Sequence, residues 1–485
     1  MGYMHLSLQE IHTAIIDKKV TPIQLVEEAL ELAKKDTNNS FEYICENEAL
    51  QRVKKLDPKL SSNLLYGIPV VIKDNYSTKD IPTTASSNIL NGYVPIFSAE
   101  VVTRLEKAGA IVIGKTTMDE LGMGGTGTAG HLGTTYNPWD KSKTHIIGGS
   151  SCGSAAAVAA GIVPFAIGSD TGDSVRKPAS YGALVGMKPT WGRISRFGLF
   201  PFAASLDHVA YFTRNVADSA SLLNVLAGRD EKDYSSSLKP VEDYSSGLNV
   251  DIKGKKIAVI KLIVESTTNQ KIVDAFNKTV AQLKEKGAIV DYVSIDEKIL
   301  EAIYPTYIII SSAEANSNNA NLDGINFGAR EDGKTYEEIV VNTRTKGFSK
   351  LIKKRFIIGG YSLLKENREE LFIRALKCRR LIVNAFNNVL KEYDVIMCPA
   401  APTVAPLISQ AHGAFNSTTI IADNYMAFAN MAGLPSITLP LGFDESLPFG
   451  INLTAKAFDE SNLFGIAQRV EDITGLKNLV AKEDK

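Results

Sequence analysis

Cysteine and histidine are scarce in this chain, with four and six among 485 residues. Cys45, Cys152, Cys378 and Cys398 form no CxxC pair, and none has a histidine at zinc-ligand spacing, which excludes the common zinc and dithiol motifs. So few cysteines in so long a chain fit a reduced, cytosolic protein better than a disulfide-stapled one. The net charge of −1 leaves no footprint for a polyanion, so any nucleic acid would be held by a partner or a local patch. Apolar windows are short and interrupted, and no membrane span is expected. The start, MGYMHLSLQEIHTAI, lacks the basic and apolar regions of a signal peptide, which points to a cytoplasmic protein. No Gly-Lys-Ser/Thr follows the glycines, so a Walker A phosphate loop is excluded.

What the chain does have is ordinary globular composition, 44% hydrophobic and 22% charged, and one unusual stretch. Gly148 to Pro178 reads GGSSCGSAAAVAAGIVPFAIGSDTGDSVRKP. It divides into a glycine-serine turn at 148–154, a small-residue helix at 155–163, a short apolar strand at 164–169 and a second polar turn at 170–174. Glycines permit close backbone approach and positive φ. Two such turns joined by a tightly packed helix would bring Ser150, Ser151 and Ser174 together. A flexible Gly/Ser linker is excluded, because the apolar run Ala155–Ile167 requires burial.

Elsewhere helices and strands alternate. Ser7 with Glu10 and Thr21 with Gln24 predict two capped N-terminal helices, the second with Pro22 at its first position. Val70–Ile72 reads as a buried strand ending in Lys73, and Glu100–Lys115 as a helix followed by a strand. Lys256–Ile260 and Ile289–Val293 read as strands around an amphipathic helix. A long helix at Glu366–Leu390 precedes a strand at Asp394–Cys398. Helix is expected at Asp423–Gly433 and Phe458–Ile473, and strand at Ile437–Leu441 and Leu447–Leu453. This alternation predicts an α/β fold. Three segments are expected to be peripheral or irregular: 181–213, a surface excursion at about 229–252, and 316–354.

Gly149-Ser150-Ser151-Cys152-Gly153 satisfies the G-x-S-x-G nucleophile pattern, but only Ile146-Ile147 precedes it as strand. A Ser-His-Asp site would need His208 or His412; the first reads as a satisfied structural histidine and the second as a loop residue. A serine nucleophile can instead use a lysine, provided burial keeps the lysine neutral. Taken alone, Lys73 at a strand end reads more readily as a surface lysine paired with Asp74. Combined with the two serine turns it supplies a relay. Ser174 attacks, a serine of the first turn passes the proton, and Lys73 receives it. The backbone N–H groups of Thr171, Gly172, Asp173 and Ser174 would then hold the oxyanion.

At these residues the sequence resembles the amidase signature family. GIPVVIKDN around Lys73, GGSSCGSAAAVAAG around Ser150 and GSDTGDSVRKP around Ser174 resemble its three motifs, and Ser150 and Ser174 are 24 positions apart, as in the family. The resemblance implies that Ser174 is the nucleophile, Ser150 a relay serine on a cis peptide and Lys73 the base. It also implies one α/β domain over residues 1–485, with a mixed central sheet covered by helices and a catalytic core at about 66–215. The similarity is strongest to the family's tRNA-dependent amidotransferase branch, through GKTTMDELGMGG, VGMKPTWGRISRFGLFPFAASLD, SSAEANSNNANLDG, DNYMAFANMAGLPSITLP and LPFGINLTAKAFDE. That branch implies glutamine as substrate. Arg355 and Asp423 would hold its α-carboxylate and α-amine, with Tyr307 lining the same pocket. It implies two partner subunits, B and C, and a misacylated tRNA, Glu-tRNA(Gln) or Asp-tRNA(Asn), bound through the complex. ATP and Mg²⁺ would be used by one of those partners, with no metal or cofactor in this chain.

Three positions depart from the family pattern. Asp173 stands for a Gly, Cys152 for a Gly and Lys177 for a Gln. A carboxylate at 173 pointing inward would oppose an oxyanion, so an outward side chain is expected. Two other readings stay open: a stand-alone amidase with the same catalytic trio, and a non-catalytic scaffold protein of the complex. Without the resemblance, Arg355 in the run Lys353-Lys354-Arg355 would read as part of a solvated basic face.

Overall fold

The computed structural model describes residues 2–411 and 417–481. Its centre is an 11-stranded mixed sheet in the order β1-β3-β2-β4-β6-β5-β10-β11-β9-β7-β8. In chain order the strands are β1 (Phe41–Ile44), β2 (Pro69–Lys73), β3 (Ile111–Thr116), β4 (Ala166–Asp170), β5 (Val185–Lys188) and β6 (His208–Thr213). They continue as β7 (Lys256–Ile260), β8 (Ile289–Val293), β9 (Val395–Pro399), β10 (Ser436–Asp444) and β11 (Leu447–Ala455). β2 runs parallel to β3 and β4, and β7 runs parallel to β8 and β9; the other pairings are antiparallel. Parallel strands are covered on both faces, and all residues of β2, β3 and β4 are buried accordingly.

Local sequence explains most elements. The helices Leu8–Ile16 and Pro22–Lys34 begin with full capping boxes at Ser7/Glu10 and Thr21/Gln24. The small-residue helix spans Cys152–Ala159, and all eight of its residues are buried. Its side chains must be small because it lies against backbone: a Cβ on Gly153 would sit 2.3 Å from the Ser40 carbonyl oxygen and 2.7 Å from Thr117 N.

One expectation is corrected and two are refined. Residues 181–213 are not irregular throughout, since β5 and β6 lie within them; strand pairing there outweighs the density of Gly and Arg. Residues 316–354 are mostly exposed or half-buried, as expected of a peripheral segment, but they are partly helical. They contain the helix Tyr336–Gly347 and the start of the helix Lys350–Leu363, which carries Arg355. The 229–252 excursion lacks regular strands but is anchored by buried Asp230, Ser236, Tyr244 and Ile252. The long helix after residue 366 opens with a π-helical turn at Glu369–Ile373 and continues as Arg374–Glu392. No described helix is long and apolar enough to cross a membrane.

Candidate active site

β2 and β4 are hydrogen-bonded neighbours, so the end of one strand and the turn after the other meet at the same edge. Lys73 closes β2 and is fully buried. Its Nζ donates to Ser150 Oγ at 2.8 Å, Ser151 Oγ at 2.9 Å and Ser169 Oγ at 2.9 Å. Three hydroxyls thus match the three donors of an ammonium without supplying a carboxylate partner. Burial pushes Lys73 down to about 8, against the attraction of the more distant Asp119, Asp170 and Asp207. The surface pairing with Asp74 does not occur: Asp74 lies 3.0 Å from Lys115, inside the core.

Ser150 follows a cis peptide bond from Gly149. Its carbonyl accepts from Asp119 N at 3.1 Å, while the Asp119 carboxylate receives the N–H groups of Thr126, Gly127 and Ala129. Ser151 is more than a neighbour. Besides meeting Lys73, its hydroxyl donates to the Ser169 carbonyl at 3.1 Å, and its N–H donates to the Ser174 carbonyl at 3.2 Å. The two serine turns are thereby tied together. Among the described hydrogen bonds Lys73 reaches Ser150, but Ser150 does not reach Ser174 directly. Apo sites often hold such contacts long until substrate binds.

The turn after β4 is held from behind. Arg176 makes two bonds to Asp170 (2.9 and 3.2 Å) and donates to the Gly172 carbonyl at 2.6 Å and Asn430 Oδ1 at 2.7 Å. Burial alone would raise Asp170, but the adjoining Arg176 guanidinium holds its carboxyl well below the usual range. The Asp170 carboxylate also receives Val175 N at 3.0 Å. A trans peptide points its C=O and N–H in opposite directions. With the Gly172 carbonyl turned to Arg176, the Asp173 N–H faces away from it. The N–H groups of Gly172, Asp173 and Ser174 have no acceptor among the described residues. Thr171 Oγ1 donates to Asp207 at 2.7 Å, which fixes the near side of the turn.

The pocket wall comes from distant helices. Tyr307, on the helix Ile303–Asn318, lies against the turn so closely that a Cβ on Gly172 would meet its ring at 3.0 Å. Burial raises its hydroxyl, and the Arg355 cation opposes that rise. Arg355 is half-buried, and its Nη1 is buried with no hydrogen-bond partner among the described residues. The helix bearing it packs tightly on the Tyr307 helix, since a Cβ on Gly359 would overlap the Ser312 carbonyl at 2.1 Å. Arg355 is therefore not part of a fully solvated basic face. Tyr304, one turn before Tyr307, is raised by burial and lies within electrostatic reach of Arg355, Asp423, Lys177 and Asp173. Asp423 Oδ1 is 2.7 Å from Lys177 Nζ, and Asp173 is 3.0 Å from the same nitrogen. Asp173 is one-fifth exposed, so its carboxylate turns along the helix to a cation rather than out into water.

Histidine contributes little here. His208 is buried and held neutral by burial, with Nδ1 2.7 Å from the Leu206 carbonyl and Nε2 unpartnered among the described residues, so it is only partly satisfied. His412 lies outside the described residues. The strand needed by the G-x-S-x-G reading is absent, with Ile146 forming only an isolated bridge to Tyr136. Among the described residues no group of three or more His, Cys, Asp or Glu is placed to hold a metal ion. Cys152 is buried beside Thr135, and burial pushes its thiol up to about 12. Sequence reasoning missed Asn75, Ser169 and Asn430. All three lie inside quoted stretches, but the roles of the first two depend on the strand pairing, and Asn430 reaches the turn from 260 residues away.

The structure thus brings a buried lysine to the serines of the first turn and of β4, and the N–H groups of Gly172, Asp173 and Ser174 have no acceptor among the described residues. The chain belongs to the amidase family, whose profile matches residues 24–464. It is 40% identical over 480 residues to the A-type component of glutamyl-tRNA(Gln) amidotransferase from Pediococcus pentosaceus, covering 98% of each chain. The crystal structure of the same component of glutamyl-tRNA(Gln) amidotransferase from Thermotoga maritima is similar at 34% identity and a TM-score of 0.81, over 97% of this chain and 95% of that one. Native peptide amidase from Stenotrophomonas maltophilia shares the fold at 25% identity and a TM-score of 0.81, over 98% of both chains.

Proposed function

We propose that this chain is the glutamine-hydrolysing component of a tRNA-dependent amidotransferase. The observation that carries the reading is the fully buried Lys73 with its Nζ 2.8 Å from Ser150 Oγ, in a chain 40% identical over nearly its whole length to such a component. Neutral Lys73 takes the proton of Ser150 as Ser150 takes that of Ser174. Ser174 Oγ attacks the side-chain carbonyl carbon of glutamine, and the N–H groups of the 171–174 turn receive the oxyanion. The tetrahedral intermediate collapses, the C–N bond breaks, and the proton returns through Ser150 to the departing ammonia. Water then hydrolyses the glutamyl ester by the same relay, releasing glutamate.

Arg355 pairs with the α-carboxylate, Asp423 with the α-ammonium, and Tyr307 closes the wall between turn and pocket. A free amino acid needs one cation and one anion to clamp its zwitterion. Ammonia passes to the larger of two partners, which uses ATP and Mg²⁺ to activate the misacylated tRNA; the smaller partner holds the pair together in the cytoplasm. A stand-alone amidase shares the fold, as the peptide amidase shows. Arg355 Nη1, buried and without a hydrogen-bond partner among the described residues, favours a carboxylate-bearing substrate over a simple amide.

The test is to purify the tagged chain from its own host and assay glutamine-dependent conversion of Glu-tRNA(Gln) to Gln-tRNA(Gln). Two stoichiometric partners with conversion support the proposal. A partner-free chain that hydrolyses simple amides overturns it.

A further inference from the structure

Two of the three departures from the family pattern, Asp173 and Lys177, prove to be one structural unit. The Lys177 N–H donates to the Asp173 carbonyl at 2.9 Å, so their side chains project from one face a helical turn apart. The Lys177 ammonium lies 3.0 Å from the Asp173 carboxylate and 2.7 Å from Asp423 Oδ1, and it also donates to the Asp423 main-chain carbonyl. Its side chain is 8% exposed, against 20% for Asp173 and 42% for Asp423. The cation is thus the buried centre of the group, and Asp423 is its open end. The other ionisable groups in reach are Tyr181 one turn further on, Tyr304, and the Asp170–Arg176 pair behind the turn. Of these, only Arg176 is cationic, and its bonds go to Asp170, Gly172, Asn430, Ser436 and Met426, so it is not free to serve Asp173.

We propose that Lys177 is a positioning residue of the glutamine pocket. It holds the Asp173 carboxylate along the helix, away from the N–H groups that receive the oxyanion, and it anchors Asp423 by side chain and main chain at the pocket mouth. This rests on the functional reading above. A Gly at 173 carries no carboxylate and needs no such restraint. Asp173 with a neutral residue at 177 leaves an unpaired carboxylate beside the developing negative charge, the arrangement most adverse to the transition state.

The two tasks of Lys177 separate in kinetics. In the complete complex, Lys177→Gln lowers kcat for glutamine by about tenfold or more, because the freed carboxylate competes for the oxyanion turn. The double variant D173G/K177Q recovers kcat to within about threefold of the parent, while its KM stays raised because Asp423 has lost its anchor. Lys177→Arg, which keeps a cation, loses less kcat than Lys177→Gln. Unaltered kcat in Lys177→Gln, or a double variant no faster than the single one, overturns the proposal. If Lys177→Gln fails to fold, the double variant carries the test, and a folded D173G/K177Q with kcat more than about tenfold below the parent overturns the proposal. The functional reading fails separately. A parent complex that hydrolyses simple amides but not glutamine refutes glutamine as substrate, and the same kcat pattern on that amide still tests the clamp, since every amide forms the oxyanion.

Discussion

Lys73 and Arg355 are both basic side chains, yet their surroundings are opposite in kind. Lys73 is sealed at the end of a buried strand, and three hydroxyls complete its hydrogen bonding. Arg355 stands on a helix at the rim, with one buried nitrogen that no described protein group satisfies. On the proposed function, the protein completes the environment of the base and leaves that of the substrate-binding cation to a ligand. A base must be desolvated and held still before substrate arrives, whereas a substrate-binding cation needs a vacant coordination direction.

The contrast is broken most severely from the Lys73 side. Ser174→Ala abolishes ammonia release from glutamine, and Lys73→Ala nearly does so, each by about a thousandfold or more with unaltered circular dichroism. The double variant is no slower than Ser174→Ala, because the groups act as one relay; near-normal turnover by Ser174→Ala would discard the mechanism. On the Arg355 side the loss falls on binding. Arg355→Ala raises KM for glutamine by about a hundredfold with a smaller change in kcat, and Lys at this position restores only part of it, since an ammonium lacks the planar fork. An equal fall in kcat and kcat/KM would instead place Arg355 in the chemical step.

The pH profile sharpens the comparison. The active form of Lys73 is neutral, and its pKa is about 8, so the active fraction falls as pH falls. In that range kcat/KM drops by about tenfold per pH unit below 8 and levels off above it. A profile flat from pH 6 to 9 would remove Lys73 as the base. The smallest effect is expected at the contact between the two regions. Gly172→Ala sets a methyl 3.0 Å from the Tyr307 ring, displacing it and lowering kcat/KM severalfold. A crystal structure of that variant with Tyr307 unmoved would show that the ring does not depend on the turn.

Legibility in the sequence follows the same division. The Lys73 motif, the small-residue helix and the Ser174 turn are local patterns, and in the last two side-chain size is limited by close neighbours: backbone at Gly153 and the Tyr307 ring at Gly172. The capping boxes and most strands were legible for the same reason: their signals lie within a few residues. The strands within residues 181–213 are not legible locally, because β5 and β6 are stabilised by pairing with β10 and β4, which no local pattern announces. Arg355 was legible only through the family resemblance, since its own neighbourhood resembles a solvated basic run.

The sequence by itself determined the α/β alternation, the capped helices and the small-residue helix, because each follows from short-range sterics and hydrogen-bonding capacity; the lysine and serine set was legible as three motifs and their spacing. Tertiary structure alone decided which hydroxyls meet Lys73, that Ser169 and Ser151 share it with Ser150, and that Asp173 is answered by Lys177 and Asp423. Those outcomes depend on which strand ends and helices meet across the sheet. The electrostatic state of a buried charge is set by whatever stands within a few ångströms of it, however far away in the chain.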